Sequence, residues 1–297
     1  FEERFASDVG VKYALTTSNG TTALHLALLA AGVKSGDEVI VPSVTFVATA
    51  NAVTYIGAKP VFADINEKYW CIEPLKMQGL ITDKTTAIIP VHLYGHPADM
   101  EAVLNLANAN NLMVIEDAAE AHGAKFKEQK VGSIGDAGIY SFYGNKILST
   151  GEGGMVTTNS QEIFEKAKLL RDHGSDPVKR FWHPVIGYNY RMTNLQAAVG
   201  LGQLEKQKQF LDVRSEIADS YTKYLSGTSD FTFQSREDWA SPVCWLFSML
   251  IRSDVPNIRD DLMSYLLAKN IETRPFFYPM HTLPPYQREG TKGNVGL

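Results

Sequence analysis

The stretch "KYALTTSNGTTALHLALLAAG", residues 12–32, decides how the chain is read. "KYALTT" is strand-like. "TTALHLALLAAG" is apolar on nearly every face, as a buried helix is, and stops at Gly32, a residue suited to ending helices. Between them Asn19-Gly20 makes a turn, and Thr21-Thr22 open the helix. A strand delivered through a tight turn into a buried helix is the building unit of an α/β sheet.

Working outward, the unit recurs. "DEVIVP" is a strand closed by Pro42, and "TFVATANAVTYIGA" is helical up to Gly57. "KPVFADI" and "TTAIIPVHLYG" are strands, the second apolar on both faces. "DMEAVLNLANANN" is an amphipathic helix with Asp99 as its expected N-cap, and "LMVIED" is another strand. "AGIYSFYG" and "GGMVTT" read as a strand pair, and "SQEIFEKAKLLRDHG" as a helix capped by Ser160. Strands buried on both faces and alternating with helices predict a mixed, mostly parallel sheet covered by helices. Further on, "NLQAAVGLGQLEKQKQFLDVRSEIADSYTKYL" reads as one long helical stretch to Leu225. "FTFQ" and "CWLFSMLI" read as strands and "RDDLMSYLLAKN" as a helix. The expected division is a large domain over 1–203 and a smaller α+β domain over 204–297.

Composition bounds the function. The chain has 297 residues, 44% hydrophobic and 21% charged, enough to bury a substantial core. A formal net charge of −5 offers no basic field for nucleic acid or an anionic membrane. No apolar run approaches the roughly 20 residues that span a bilayer. Cys71 and Cys244 lie far apart without metal-ligand spacing, which fits a reducing, cytoplasmic setting. The start, "FEERFASDVG", is no signal peptide and reads as the middle of an amphipathic helix. The end, "EGTKGNVGL", closes no element, so both ends are expected to be trimmed.

In such sheets ligands bind beyond the carboxyl ends of the strands, and three polar groups fall there. At "TSNGTT" a helix N-terminus and two hydroxyls can cradle a phosphate; alternatively Thr21 only caps the helix. In "VIEDAAEAHGA", Asp117 ends an apolar strand and needs a cationic or hydrogen-bonding partner; alternatively it caps a helix. In "SFYGNK", Ser141 ends a strand and Lys146 follows in a turn. Desolvation there would ease loss of its proton and allow a Schiff base with a carbonyl; an ordinary solvated lysine is the plain alternative. "STGEGG", 149–154, leaves room for something bulky. No GxGxxG and no GxxxxGK[ST] occurs, which counts against nicotinamide enzymes and P-loop NTPases. Together the three groups suit pyridoxal phosphate: phosphate on the helix, Asp117 on the ring nitrogen, Lys146 on the aldehyde. Phe46, in "PSVTFVATA", could stack on the ring or belong to the core. His25 reads as a core residue, and His92, His122 and His173 have no metal-binding spacing.

The segments "SNGTTALHLAL", "VIVPSVTFVATANAV", "GAKPVFADI", "EDAAEAHGA", "GSIGDAGIYSFYGNKILSTGEGGMV", "LRDHG" and "GYNYRMTNLQAA" resemble the DegT/DnrJ/EryC1/StrS family of sugar aminotransferases, in order and over nearly the whole chain. The finer likeness is to members that make 4-amino sugars. The resemblance implies fold type I of the pyridoxal-phosphate (PLP/PMP) transferases, with Lys146 as the Schiff-base lysine and Asp117 as partner of the pyridine nitrogen. It puts Glu120 near the ring hydroxyl and Phe46 on the ring face. Thr21, Thr22 and Ser141 match the phosphate ligands, with Gly20 at the turn before them. Asn189 matches a residue that reaches the cofactor phosphate of the other subunit, implying a homodimer with shared sites. Arg191, Tyr278 and His281 match positions toward the sugar nucleotide. The implied reaction moves an amino group from L-glutamate to a nucleotide-linked 4-keto-6-deoxy sugar (GDP-4-keto-6-deoxymannose or a UDP or dTDP analogue), leaving 2-oxoglutarate. A family branch with histidine in place of the lysine dehydrates instead, and Lys146 favours transamination. Amination at C3, dehydration and a non-catalytic regulatory role are the alternatives.

Overall fold

The computed structural model describes residues 1–287, 293 and 294. In chain order the elements are α1 (Glu2–Val9), β1 (Tyr13–Thr17), α2 (Gly20–Ala30), β2 (Glu38–Pro42), α3 (Ala48–Tyr55), β3 (Lys59–Ala63), a single-turn α4 (Pro74–Met77), β4 (Thr85–Ile88), α5 (Met100–Ala109) and β5 (Met113–Asp117). Then come β6 (Lys125–Phe126), β7 (Gln129–Lys130), β8 (Ala137–Ser141), β9 (Gly154–Thr158), α6 (Gln161–Arg171), α7 (Asn194–Leu204), α8 (Gln207–Leu225), β10 (Phe231–Phe233), β11 (Ala240–Ser241), β12 (Met249–Ile251) and α9 (Ile258–Leu267).

The main sheet runs β1-β9-β8-β5-β4-β2-β3, with Gly293–Asn294 added parallel to β3. From β8 to β3 every pairing is parallel. β9 alone runs the other way, antiparallel to both β1 and β8. The carboxyl ends of β1, β8, β5 and β2 therefore share one edge. Register sharpens this. Thr17 and Ser141 both stand opposite Gly154, and Asp117 stands opposite Ile139, two residues before Ser141.

The apolar runs account for the strands. Val39, Ile40 and Val41 of β2, like Ala87 and Ile88 of β4, are fully buried because helices cover both faces. α2 is buried nearly all round and packs on α3, α6, β8 and β9. α1 turns Phe5, Ala6 and Val9 inward, and the Phe5 ring meets Tyr140 and Phe142 edge-on. Helix stops fall at the expected Gly32 and Gly57, and also at Gly10, all with positive φ. Asp99 and Ser160 cap α5 and α6, accepting from Ala102 N–H and Ile163 N–H.

Two expectations and one alternative are corrected. The stretch from Asn194 to Leu225 is not one helix: it breaks at Glu205-Lys206, where Lys206 leaves helical geometry (φ −104°, ψ 5°). α8 then packs over Gly123, where an added Cβ would meet Leu211 Cδ1 at 2.6 Å. "CWLFSMLI" pairs only over Met249–Ile251, with β10; Trp245 is turned into the core instead. No helix follows Asp117, whose Oδ1 accepts from Ala119 N–H in a turn. The later chain also returns to the main body. β11 pairs with β6, Val243 N–H binds Gly95 O, and Met280 N–H binds Ser43 O. No helix among the described residues is long and apolar enough to cross a membrane.

Candidate active site

The site lies on the shared strand edge. At its β1 end, Asn19 in extended conformation caps α2 through a capping box with Thr22. The Thr22 hydroxyl is committed locally, to Asn19 O at 2.8 Å and to Ser18 Oγ at 3.1 Å. Thr21 is therefore not the cap. It stands half-buried in the first turn. Among the described residues nothing accepts from the Gly20 or Thr21 N–H groups, which point off the positive end of an eleven-residue helix. Ser141 presses against this turn: a Cβ on Gly20 would sit 2.8 Å from Ser141 Cβ. Gly154 is equally constrained, since its Cβ would lie 2.3 Å from Asn19 O. Two free N–H groups and the Ser141 hydroxyl can together bind a phosphate.

Asp117 ends β5 almost wholly buried. Burial raises its carboxyl, while the Ala119 N–H, the Thr49 hydroxyl and nearby Lys146 and His92 pull it down. Thr49 Oγ1, from the start of α3, donates to Asp117 Oδ2 at 2.9 Å. Behind it lies a buried scaffold. His92 Nδ1 accepts the Ala98 N–H at 3.0 Å, so its ring proton is on Nε2, facing Glu116 Oε2 at 3.1 Å. Glu116 also accepts from Gly132, Ile134 and Gly135 N–H groups. The His92 backbone N–H then donates to Asp117 O, fixing the strand end.

Lys146 enters from the turn after β8, its own N–H bound to Tyr143 O at 2.9 Å. Its side chain is 11% exposed, and Nζ lies 3.6 Å from Glu120 Oε1, an ion pair longer than a hydrogen bond. Burial lowers the Lys146 amine, against the opposing pull of Glu120 and Asp117. Burial likewise pushes the Glu120 carboxyl up to about 7. Glu120 Oε2 accepts the Tyr94 N–H at 2.8 Å, and Tyr94 sits in left-handed geometry at φ 55° to present it. A desolvated amine, a buried carboxylate pair and a phosphate cradle on one edge form a donor set that fits pyridoxal phosphate.

The remaining expected residues divide. Phe46 is not in the core: it is 53% exposed, with its ring 5.9 Å from Phe277. Tyr278 is exposed, and His281 has a buried Nδ1, unpartnered among the described residues, in the turn bound to Ser43, close to Phe46 in sequence. Asn189 and Arg191 are exposed and flank Tyr190, whose carbonyl accepts from Ser18 N–H. Arg191 pairs with Asp172 at 3.3 Å. Both line a cleft of about 820 Å³ together with Phe1, Glu2, Thr16 and Arg171. No hydrogen bond or ion pair joins them to Lys146, Asp117 or Ser141 among the described residues. His25 is a core residue, its Nδ1 3.1 Å from Tyr190 Oη. Thr49, Tyr94 and Trp245 escaped the sequence reading. Their approach to the site comes from long-range packing that no local spacing announces.

The chain belongs to the DegT/DnrJ/EryC1/StrS aminotransferase family, which it matches over residues 1–295. It is 47% identical over 292 residues to a GDP-perosamine synthase of Caulobacter vibrioides, covering 98% of this chain and 79% of that one. Its fold is similar to DesV of S. venezuelae, solved in complex with a ketimine intermediate: the TM-score is 0.91 at 36% identity, over 98% of this chain and 78% of that one. A putative sugar aminotransferase, Spr1654 from Streptococcus pneumoniae, solved in PLP and PMP forms, is similar at TM-score 0.91 and 26% identity, over 98% of this chain and 80% (PLP form) or 79% (PMP form) of that one. The α/β fold is thus that of the PLP-dependent aminotransferases, as expected.

Proposed function

We propose that this chain uses pyridoxal phosphate to transfer the amino group of L-glutamate to C4 of a nucleotide-linked 4-keto-6-deoxy sugar, releasing 2-oxoglutarate. The observation that carries this reading is the desolvated Lys146 amine facing Glu120 on the strand edge that also holds Asp117 and Ser141. The 47% likeness to a GDP-perosamine synthase supports GDP-4-keto-6-deoxymannose as substrate ahead of UDP or dTDP analogues. When bound, the cofactor supplies an electron sink for the carbon that loses and gains a proton.

The chain's residues have separable tasks. The Gly20 and Thr21 N–H groups and the Ser141 hydroxyl hold the phosphate. Asp117, whose carboxyl oxygens accept from Thr49 Oγ1 and Ala119 N–H, faces the ring nitrogen and holds its proton. Phe46 covers one ring face. Lys146 Nζ anchors the aldehyde and, once free, moves a proton as general base and acid. Glu120 takes and stabilises that amine's charge. Asn189 and Arg191, on the cleft away from Lys146, serve the site of a second copy in a homodimer. Tyr278 and His281 line the approach of the sugar nucleotide. The division at 203/204 and a cytoplasmic setting belong to the same reading.

The test is a panel of keto-sugar nucleotides incubated with L-glutamate and cofactor. One 2-oxoglutarate per 4-amino sugar nucleotide is expected, with the product identified by mass and NMR. 2-Oxoglutarate in excess of the cofactor present when no keto-sugar nucleotide is supplied, or a dehydrated sugar product, overturns the reading.

A further inference from the structure

Lys146 is enclosed on a side that neither β5 nor β8 supplies. The Trp245 ring centroid lies 3.7 Å from Lys146 Nζ. The same indole donates from Nε1 to the carbonyl of Asn145, the residue before the lysine, at 2.7 Å. Trp245 thus grips the lysine at both ends, amine and backbone. It is buried itself, and its segment is fixed from two directions. Val243 and Trp245 N–H groups donate to Gly95 O and Tyr94 O, and the Tyr94 ring stacks near the indole, centroids 6.2 Å apart at 22°. From α8, Arg214 Nη1 donates to Trp245 O at 2.8 Å and Cys244 O at 3.3 Å.

Resting on the function proposed above, we infer that Trp245 is a positioning residue for Lys146. Its ring face holds the protonated Nζ beside Glu120, its N–H holds the lysine's backbone, and Arg214 holds Trp245 in place. An aromatic face attracts an ammonium through its quadrupole, more strongly where water is excluded. A neutral amine gains far less. The charged and titratable groups facing Lys146 are few. Glu120 and Asp117 favour the ammonium, and His122 is kept neutral by burial and by the charges of Lys146 and Arg214. Burial favours the free amine. The indole therefore works against burial at an amine that has to exchange a proton as an acid–base group.

Competitive acetylation of cofactor-free protein with acetic anhydride, followed by peptide mass against pH, reads the free-amine fraction at Lys146. Trp245→Leu removes the ring face and is expected to raise that fraction about 2- to 30-fold at a pH below the lysine's midpoint. Trp245→Phe keeps a ring face and stays near wild type. Arg214→Gln frees the indole's segment and moves in the direction of Trp245→Leu. Water admitted by a cavity would favour the ammonium, so the sign separates the two effects. An unchanged or lower fraction in Trp245→Leu, or equal changes in the Leu and Phe variants, overturns the assignment and leaves the indole as packing. Should Trp245→Leu not fold, a raised fraction in Arg214→Gln with none in Trp245→Phe supports it, and the reverse pattern overturns it. Addition of pyridoxal phosphate to wild type is scored separately: failure to take up cofactor strikes the proposed function and not the labelling profile.

Discussion

Glu120 Oε1 stands 3.6 Å from Lys146 Nζ, with both side chains almost withdrawn from water. Burial works against each charge, raising the acid and lowering the amine, while each charge supports the other. The pair is thus poised closer to proton exchange than it would be in water. Its neighbours on the strand edge convert that poise into measurable expectations.

The first concerns Glu120. Its carboxyl is raised from 4.5 to about 7 by burial, so the folded protein keeps a proton that the unfolded chain has lost. Stability through this group is therefore present below pH 4.5 and lost as pH rises through about 7. Glu120→Gln has no such proton. Between those pH values, cofactor-free E120Q is predicted to gain on the order of 3 kcal/mol relative to wild type, read by urea unfolding. Parallel curves for the two proteins would refute the assigned burial effect.

His122 gives the opposite slope. It is buried against Tyr140 and Phe142 with neither ring nitrogen partnered among the described residues, and burial lowers it from 6.5 to about 3. The unfolded chain binds a proton that the fold refuses, so stability is lost as pH falls below 6.5. A drop from that value to about pH 5 is expected to cost roughly 2 kcal/mol through this residue. His122→Leu should remove that share, and equal acid sensitivity in both proteins would count against it.

Gly20 and Ser141 make a steric prediction. A Cβ on Gly20 would meet Ser141 Cβ at 2.8 Å, so Gly20→Ala should cost about 1–3 kcal/mol by overpacking. Ser141→Gly removes the opposing atom. The double variant is predicted to recover thermal stability but not cofactor affinity, because the serine hydroxyl is gone. Recovery of both would mean that Ser141 holds no phosphate.

Thr49 tests the support of Asp117. Thr49→Val keeps the shape and removes a 2.9 Å hydrogen bond to the carboxylate. A hydrogen bond to a charged group contributes about 1.5–3 kcal/mol, so cofactor retention in an absorbance titration should weaken roughly tenfold or more. Retention equal to wild type would show that Asp117 does not depend on Thr49 for its charge.

The strand–turn–helix unit at Lys12–Gly32 was legible because burial on both faces leaves a continuous apolar run, and Gly32 marks where left-handed backbone ends the helix. Lys146, Asp117 and Ser141 were legible because polar residues at the ends of such runs have few structural reasons to be there. Trp245 was not. In "CWLFSMLI" it looks like one more strand residue, yet its N–H is bound a hundred positions away at Asn145. Phe46 could be read either way until its exposure at the strand edge was known. The break at Lys206 carries no glycine or proline to announce it, and beyond it α8 packs Leu211 over Gly123. Local pattern reveals what each segment does alone; contacts between distant segments had to be seen.

The most direct measurement of the central claim is to load the protein with pyridoxal phosphate, reduce it with borohydride, and map the attached mass by peptide mass spectrometry. The account predicts the cofactor on the peptide containing Lys146, with no attachment in Lys146→Ala. Attachment at another lysine, or the same yield in the variant, would contradict it.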